Sequence, residues 1–145
     1  MAQTEKAPPE GILPLIQLAS DLIGRRLERY LIAKHGLTMP QYQLLLAAAQ
    51  SEGATLGSLS EQLDCSRGNI TGIVDRLERD DWLRRERSRE DRRVITVRLT
   101  EKGEKVHEIA AELAEQMRQL LGAWEPDQRQ VLQESLTQLC CQLRA

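Results

Sequence analysis

Ten of the sixteen arginines in this 145-residue chain fall between positions 67 and 98, against seven acids, for a local net charge of +3. The remainder carries ten basic and fifteen acidic residues, net −5, and every lysine lies there. A guanidinium presents a planar fork that binds phosphate or guanine through two parallel hydrogen bonds, where an ammonium acts as a point charge. Arg67, Arg84, Arg85, Arg87, Arg89 and Arg92 are therefore candidate contacts to a nucleic-acid duplex, Arg84, Arg85 and Arg87 chiefly to its phosphates. The overall charge of −2 hides this segment, because an average does not report a local field. A solvated, merely charged hairpin is the alternative reading.

Within the segment, Ser66-Arg67-Gly68-Asn69-Ile70-Thr71-Gly72 interleaves small and polar residues ahead of an apolar stripe. Small residues let a helix N-terminus enter the major groove, and Arg67, Asn69 and Thr71 carry groups that read base edges. Each of Gly68 and Gly72 costs an exposed helix about 1 kcal/mol relative to Ala. Close approach of another surface is a reason to accept that cost, and a frayed helix start is the alternative.

Other chemistries lack their residues. There is no GxSxG, P-loop, GxGxxG, CxxC pair or HExxH in the sequence, so no enzyme, no metal and no cofactor is expected. The three cysteines, Cys65, Cys140 and Cys141, are odd in number and lack a framework spacing, which fits a reducing cytoplasm. Cys65 precedes the proposed cap of the reading helix, where a helix dipole favours a thiolate. It is a candidate redox thiol, though a small buried hydrophobe is the commoner role of Cys at such turns.

The elements that must position these residues follow from hydrophobic spacing. Ile12, Leu15, Ile16, Ala19, Leu22, Ile23, Leu27, Tyr30 and Leu31 recur at helical intervals, and Gly36 supplies a C-terminal cap. Thr38 caps a second helix with Pro40 in its first turn, closed by Gly53. A short third helix is capped by Thr55 or by Ser58. Ser66 then caps a fourth, with Ile70, Ile73, Val74 and Leu77 on one side. Two helices joined by so short a turn must cross, giving a helix-turn-helix. From Trp82 the period changes to alternation through Val94, Val97 and Leu99, which predicts a two-stranded hairpin with a polar tip over 87–92. A long helix opens at Thr100-Glu101-Lys102-Gly103 and breaks at Gly122. A last one starts at Glu125 and Pro126 and carries Leu132, Leu136, Leu139 and Leu143 at a 4-3-4 spacing, the seam of a helix that wants a partner.

The fold expected is mainly α with a small β-hairpin wing: a winged helix-turn-helix lobe over 38–100, flanked by N- and C-terminal dimerisation helices over 10–36 and 101–145. These form one domain over 10–145, after a mobile segment over 1–9. Hydrophobic residues make up 41% of the chain and aromatic ones 3%, with Leu alone filling 23 positions, a mixture that favours packed helices. The longest purely apolar run, Leu44 to Ala49, is far short of the roughly 20 residues of a membrane helix, so no membrane partner is expected. The polar, Pro-containing start lacks the apolar region of a signal peptide.

Two runs carry a family resemblance. Leu63-x-Cys65-Ser66-x-x-x-Ile70-Thr71-x-Ile73-Val74-Asp75-Arg76-Leu77-Glu78 resembles the recognition region of MarR-type (multiple antibiotic resistance) regulators. Arg87-Ser88-x-x-Asp91-Arg92-Arg93-x-x-x-Val97-x-Leu99-Thr100-x-x-Gly103 resembles their wing and the start of the helix after it. The resemblance implies a homodimer whose terminal helices intertwine and whose two lobes grip a pseudo-palindrome in double-stranded DNA, with repression of transcription as the outcome. It implies minor-groove insertion by Arg93, orientation of basic side chains by Asp91, and support of the reading helix by Asp75 beside a DNA contact by Arg76. Asp80-Asp81-Trp82 departs from the pattern, which often has Gly before the wing; either the turn is built differently or Asp81 is left-handed. Regulators of this kind respond to small aromatic or anionic effectors or to oxidants. Arg26, Tyr30, His35 and Tyr42 are candidate effector contacts, each with a structural role as the alternative. The family's oxidant sensors place a reactive Cys in the first helix, where this chain has none. A helical adaptor that uses the winged scaffold without reading DNA is the competing function; it would not bind duplex, whereas a reader would bind it with steep salt dependence.

Overall fold

The computed structural model describes residues 8–51, 53–88, 91 and 93–144. The expected Arg89 and Arg92 contacts, and most of the 1–9 segment, lie outside the described residues. The chain divides into two units after His107.

The first unit opens with α1 (Ile12–His35), which ends at Gly36 in the left-handed region (φ 66°), where the Gly36 N–H reaches back to Ile32 and Leu31. Only a residue without a Cβ takes that turn at no steric cost. Thr38 caps α2 (Met39–Ala49) in a reciprocal box with Gln41, and Pro40 sits in the first turn, where its missing N–H costs nothing. Helix α2 ends at Gln50, and Gly53 instead leads into a two-residue strand, β1 (Ala54–Thr55). Thr55, not Ser58, caps α3 (Leu56–Gln62), while the Ser58 hydroxyl accepts the Thr55 N–H to complete the box. Ser66 caps α4 (Arg67–Arg79) through the Asn69 N–H at 3.3 Å.

Strands β2 (Leu83–Arg87) and β3 (Ile95–Leu99) form the wing, pairing antiparallel from Leu83 opposite Leu99 to Arg87 opposite Ile95. The sheet has three strands, not two, because β1 pairs with the free edge of β3 through Ala54 opposite Val97. The core beneath is aliphatic. Leu31, Leu37, Leu44, Leu45, Leu59, Ile70, Val74, Leu77, Leu83 and Val97 are essentially inaccessible to solvent. Burying each contributes about 1.5–3 kcal/mol.

The base of the wing is tied to the segment that follows it. Trp82 is buried, its N–H donating to the Leu77 carbonyl and its own carbonyl accepting from Thr100. The Thr100 hydroxyl donates to Asp81 O (2.6 Å) and accepts the Gly103 N–H, and Lys102 lies over the Trp82 ring while donating to Asp80 O. Asp81 is left-handed at φ 61°, as is Asp64 at φ 49°. Gly103 sits so close that a Cβ there would meet the Trp82 carbonyl oxygen at 2.0 Å. The helix expected from Thr100 therefore starts later, with a 3₁₀ turn (Gly103–Lys105) before α5 (Val106–Leu120).

In the second unit α5 runs to Leu120, and α6 (Pro126–Arg144) follows a turn through Gly122 and Trp124. Helix α6 buries none of its residues, and Val131, Leu132, Leu136 and Leu143 are exposed. On α1, Ile12, Leu13, Leu15, Leu18, Leu22 and Ile32 are likewise exposed. Among the described residues no helix is long and apolar enough to cross a membrane.

Candidate nucleic-acid interface

Helix α4 separates its residues cleanly. Ile70, Ile73, Val74 and Leu77 are buried, whereas Arg67, Gly68, Asn69, Thr71, Asp75 and Arg76 are exposed on the other side. Helical spacing alone produces this division: four apolar residues at i, i+3, i+4 and i+7 commit one face to the core. The site residues named from sequence on this helix thus share one solvent-facing surface, headed by Ser66. A Cβ added at Gly68 or Gly72 would meet nothing within 4 Å. The fold itself gives no reason for either glycine. Gly57 does have a neighbour: its Cβ position lies 3.4 Å from Arg67 Nη2, so the Arg67 side chain rests over the start of α3.

The polar groups of this face are unequally free. Thr71 Oγ1 donates to the Arg67 carbonyl at 2.8 Å, which leaves its methyl group and lone pairs for a partner. Arg67 and Arg76 form no ion pair among the described residues, and neither do Arg87 and Arg93 on the wing.

Arg84, Arg85 and Arg98 are engaged. Arg84 Nε and Arg98 Nε, directly opposite each other on β2 and β3, share the Glu86 carboxylate at 2.8 and 3.0 Å. Facing like charges repel, and one acid between them removes the penalty. Arg85, expected to hold phosphate, instead turns to α4. Its Nη2 meets Asp75 Oδ1 at 2.5 Å, its Nη1 meets Glu78 Oε2, and its backbone N–H donates to Glu78 Oε1 at 2.9 Å. Burial by itself would lower the Arg85 guanidinium, but the hydrogen bonds and charges of Asp75 and Glu78 outweigh it and hold the group above its ordinary value. Sequence reasoning missed this network. The signal was present: alternation on β2 puts Arg85 on the same side as the buried Leu83, facing the helix, and Asp75 and Glu78 lie three apart on one helical face.

Asp91 acts on the backbone. Its Oδ1 accepts the Arg93 N–H at 2.9 Å, its carbonyl accepts the Val94 N–H, and its own N–H reaches Ser88 Oγ. Arg93 is held at the base of the tip by this turn.

The candidate effector residues are scattered in environment. The Tyr30 and His35 rings meet edge to face at 6.2 Å on α1, Arg26 is exposed one turn before Tyr30, and Tyr42 is buried on α2. Burial pushes the Tyr42 phenol up. Cys65 is half-buried, with its carbonyl accepting from Ser60 Oγ; Cys140 and Cys141 are exposed on α6.

The MarR family sequence profile matches residues 37–95, from the start of α2 to the return strand of the wing. The transcriptional regulator TtmR of Methylorubrum extorquens is 34% identical over 107 residues, covering 71% of this chain and 54% of that protein. The uncharacterized HTH-type regulator YfiV of Bacillus subtilis is 30% identical over 105 residues, covering 72% and 66%. The reduced form of MarR from E. coli superposes with a TM-score of 0.77 at 25% identity, over 93% of this chain and 98% of that one. Residues 37–95 are a MarR family domain. A MarR family protein from Bacillus stearothermophilus (TM-score 0.75, 23% identity, 90% and 91% covered) and Streptococcus pneumoniae FabT, solved in complex with DNA (0.75, 21%, 89% and 92%), share the fold. The winged helix-turn-helix read from the sequence is the MarR fold, with the third strand β1 added. The chain spans between about half and two thirds of the length of the curated relatives it matches.

Proposed function

We propose that this chain is a homodimeric, sequence-specific DNA-binding regulator of transcription. The observation that carries the reading is the exposed face of α4. Arg67, Asn69 and Arg76 stand there without ionic partners among the described residues, beside two glycines that the fold does not require. On this reading the start of α4 enters the major groove and supplies base contacts, while Arg93, and with it Arg84, Arg87, Arg89 and Arg92, places the wing along the backbone and minor groove. The homology to regulators and the likeness to a DNA-bound relative support it.

One lobe offers too few contacts for selectivity, so a second copy supplies the other half-site about 10 bp away or a multiple of it. The exposed aliphatic residues of α1 and α6 support such pairing, since large apolar groups of this density mark an interaction surface. Residues 10–36 and 101–145 serve as the dimerisation helices of a single domain over 10–145. The regulator is a cytoplasmic repressor, released by a small aromatic or anionic effector, or by an oxidant acting at Cys65. Arg26, Tyr30, His35 and Tyr42 are the effector contacts in this scheme.

Selection of bound duplexes from a random pool tests the reading. The expected result is an enriched pseudo-palindrome whose affinity falls steeply with added salt. No enrichment, or binding indifferent to salt, would overturn it in favour of a protein adaptor.

A further inference from the structure

Asp75 and Glu78 are acids placed on the very module that would bind a polyanion, and Asp75 is more than half exposed. Two negative charges there weaken attraction to DNA at every sequence, so their presence calls for a compensating task. Both point at the same group. Arg85 is three-quarters buried, and its guanidinium fork reaches Asp75 on one arm and Glu78 on the other. The second Glu78 oxygen takes the Arg85 backbone N–H at 2.9 Å. A single turn of α4 is thereby bonded to the middle of β2 by side chain and main chain together.

We propose that Arg85 is a positioning residue, a strut that fixes the wing at a set angle to the reading helix, and that Asp75 and Glu78 exist on this face to hold it. The inference rests on the DNA-reading function above and gives that site its geometry. A reading helix and a wing must engage one duplex together. If their relative angle floats, each binding event must order it first, and that loss of freedom is subtracted from affinity for the operator. Loose, opportunistic contact with random duplex demands no fixed angle and is spared. A lysine cannot serve in place of Arg85, because one ammonium lacks the rigid two-armed geometry that spans both carboxylates.

The strut and a phosphate contact make opposite predictions. Five variants of the full-length protein are compared on the selected operator and on random duplex at several salt concentrations: Arg85→Gln, Arg85→Lys, Glu78→Gln, Asp75→Asn and the double Arg85→Gln/Glu78→Gln. For the strut, each single change lowers operator affinity about tenfold. Random-duplex affinity stays near wild type in the Arg85 variants and rises slightly in the acid variants, the salt slope hardly changes, and the double variant is no worse than Arg85→Gln, as coupled residues behave. The decisive sign is that of Glu78→Gln and Asp75→Asn: removing a negative charge weakens specific binding. The proposal is overturned if either acid variant tightens operator binding. It is also overturned if Arg85→Gln weakens both duplexes alike and reduces the salt slope by about one phosphate's worth. Hydrogen exchange of the free protein judges the strut without DNA. In Glu78→Gln the β2 amides should exchange about tenfold faster while those of Ile73 to Leu77 do not change, and unaltered β2 exchange would overturn the proposal. Should Arg85→Gln fail to fold, Asp75→Asn, which removes one exposed contact, still carries both readouts. A wild-type protein that selects no duplex condemns the DNA reading alone, because the exchange result stands apart from it.

Discussion

At residue scale the arginines of the winged module sort by what they already touch. Arg84 and Arg98 share Glu86 while staying well exposed, and Arg85 is held inward by Asp75 and Glu78. Arg67, Arg76, Arg87 and Arg93 have no ionic partner among the described residues, which leaves their guanidinium forks open to one. Arg93→Ala is expected to lower operator affinity at least a hundredfold, measured by titration at fixed salt; unchanged binding would remove the wing from the interface. Arg67→Ala should cost about 1–3 kcal/mol on the operator and much less on random duplex. The two glycines of α4 give a complementary test. Each has open space where a Cβ would go, so Ala at either position should strengthen the helix by up to about 1 kcal/mol and raise the melting temperature by roughly 3 °C. The same Gly68→Ala change should weaken operator binding, because the methyl group stands where DNA would approach. A variant that is both more stable and an equally good binder would mean that the glycine has no such role.

At the scale of elements, the structure rewards periodicity and capping and is less kind to short or irregular pieces. Helices α2, α4 and α6 were legible because each carries a chemical start signal, Thr38 with Pro40, Ser66, and Glu125 with Pro126, whereas α1, which begins after Gly11 with no capping side chain, was legible from its apolar spacing. Strand β1 was not legible, since two residues, Ala54 and Thr55, have no period to detect and pair with β3 only once the lobe is assembled. The start of α5 was misjudged for a related reason. Thr100 does accept the Gly103 N–H as a cap would, yet its hydroxyl also donates to Asp81 O, and the tight approach of Gly103 to Trp82 puts a 3₁₀ turn ahead of α5. The exposed face of α4 was readable in full, whereas the Arg85 strut depends on which way a strand faces a helix, a tertiary fact. Helix α2 adds a pH prediction. Burial raises the Tyr42 phenol, so the folded state holds that proton more firmly than the unfolded chain does. Its contribution to stability is intact below about pH 10 and is lost as pH rises through the folded value. Tyr42→Phe should therefore flatten the decline in denaturation midpoint above pH 10.

At the scale of the whole molecule the charge is polar: +3 on residues 67–98 and −5 elsewhere. A basic reading module is drawn to a duplex, while the acidic remainder discourages lying along it non-specifically. The exposed aliphatic rows of α1 and α6 set a second expectation. Leu22→Glu or Leu136→Glu should convert a dimer to monomer in sedimentation, and wild type should melt at higher temperature as its concentration rises. A melting point independent of concentration, with a monomeric mass, would contradict the pairing.

The left-handed aspartates have a consequence for how far this protein can be improved. Asp64 and Asp81 hold backbone conformations that cost a residue with a Cβ about 1 kcal/mol each, and only glycine escapes that cost. Asp81 is bonded through its carbonyl to Thr100, and in Asp64 it is the N–H that reaches Glu61, so each turn is gripped through main-chain atoms that glycine also possesses. The molecule thus carries slack at two turns, a margin of heat tolerance that changes from Asp to Gly would recover without touching the exposed face of α4.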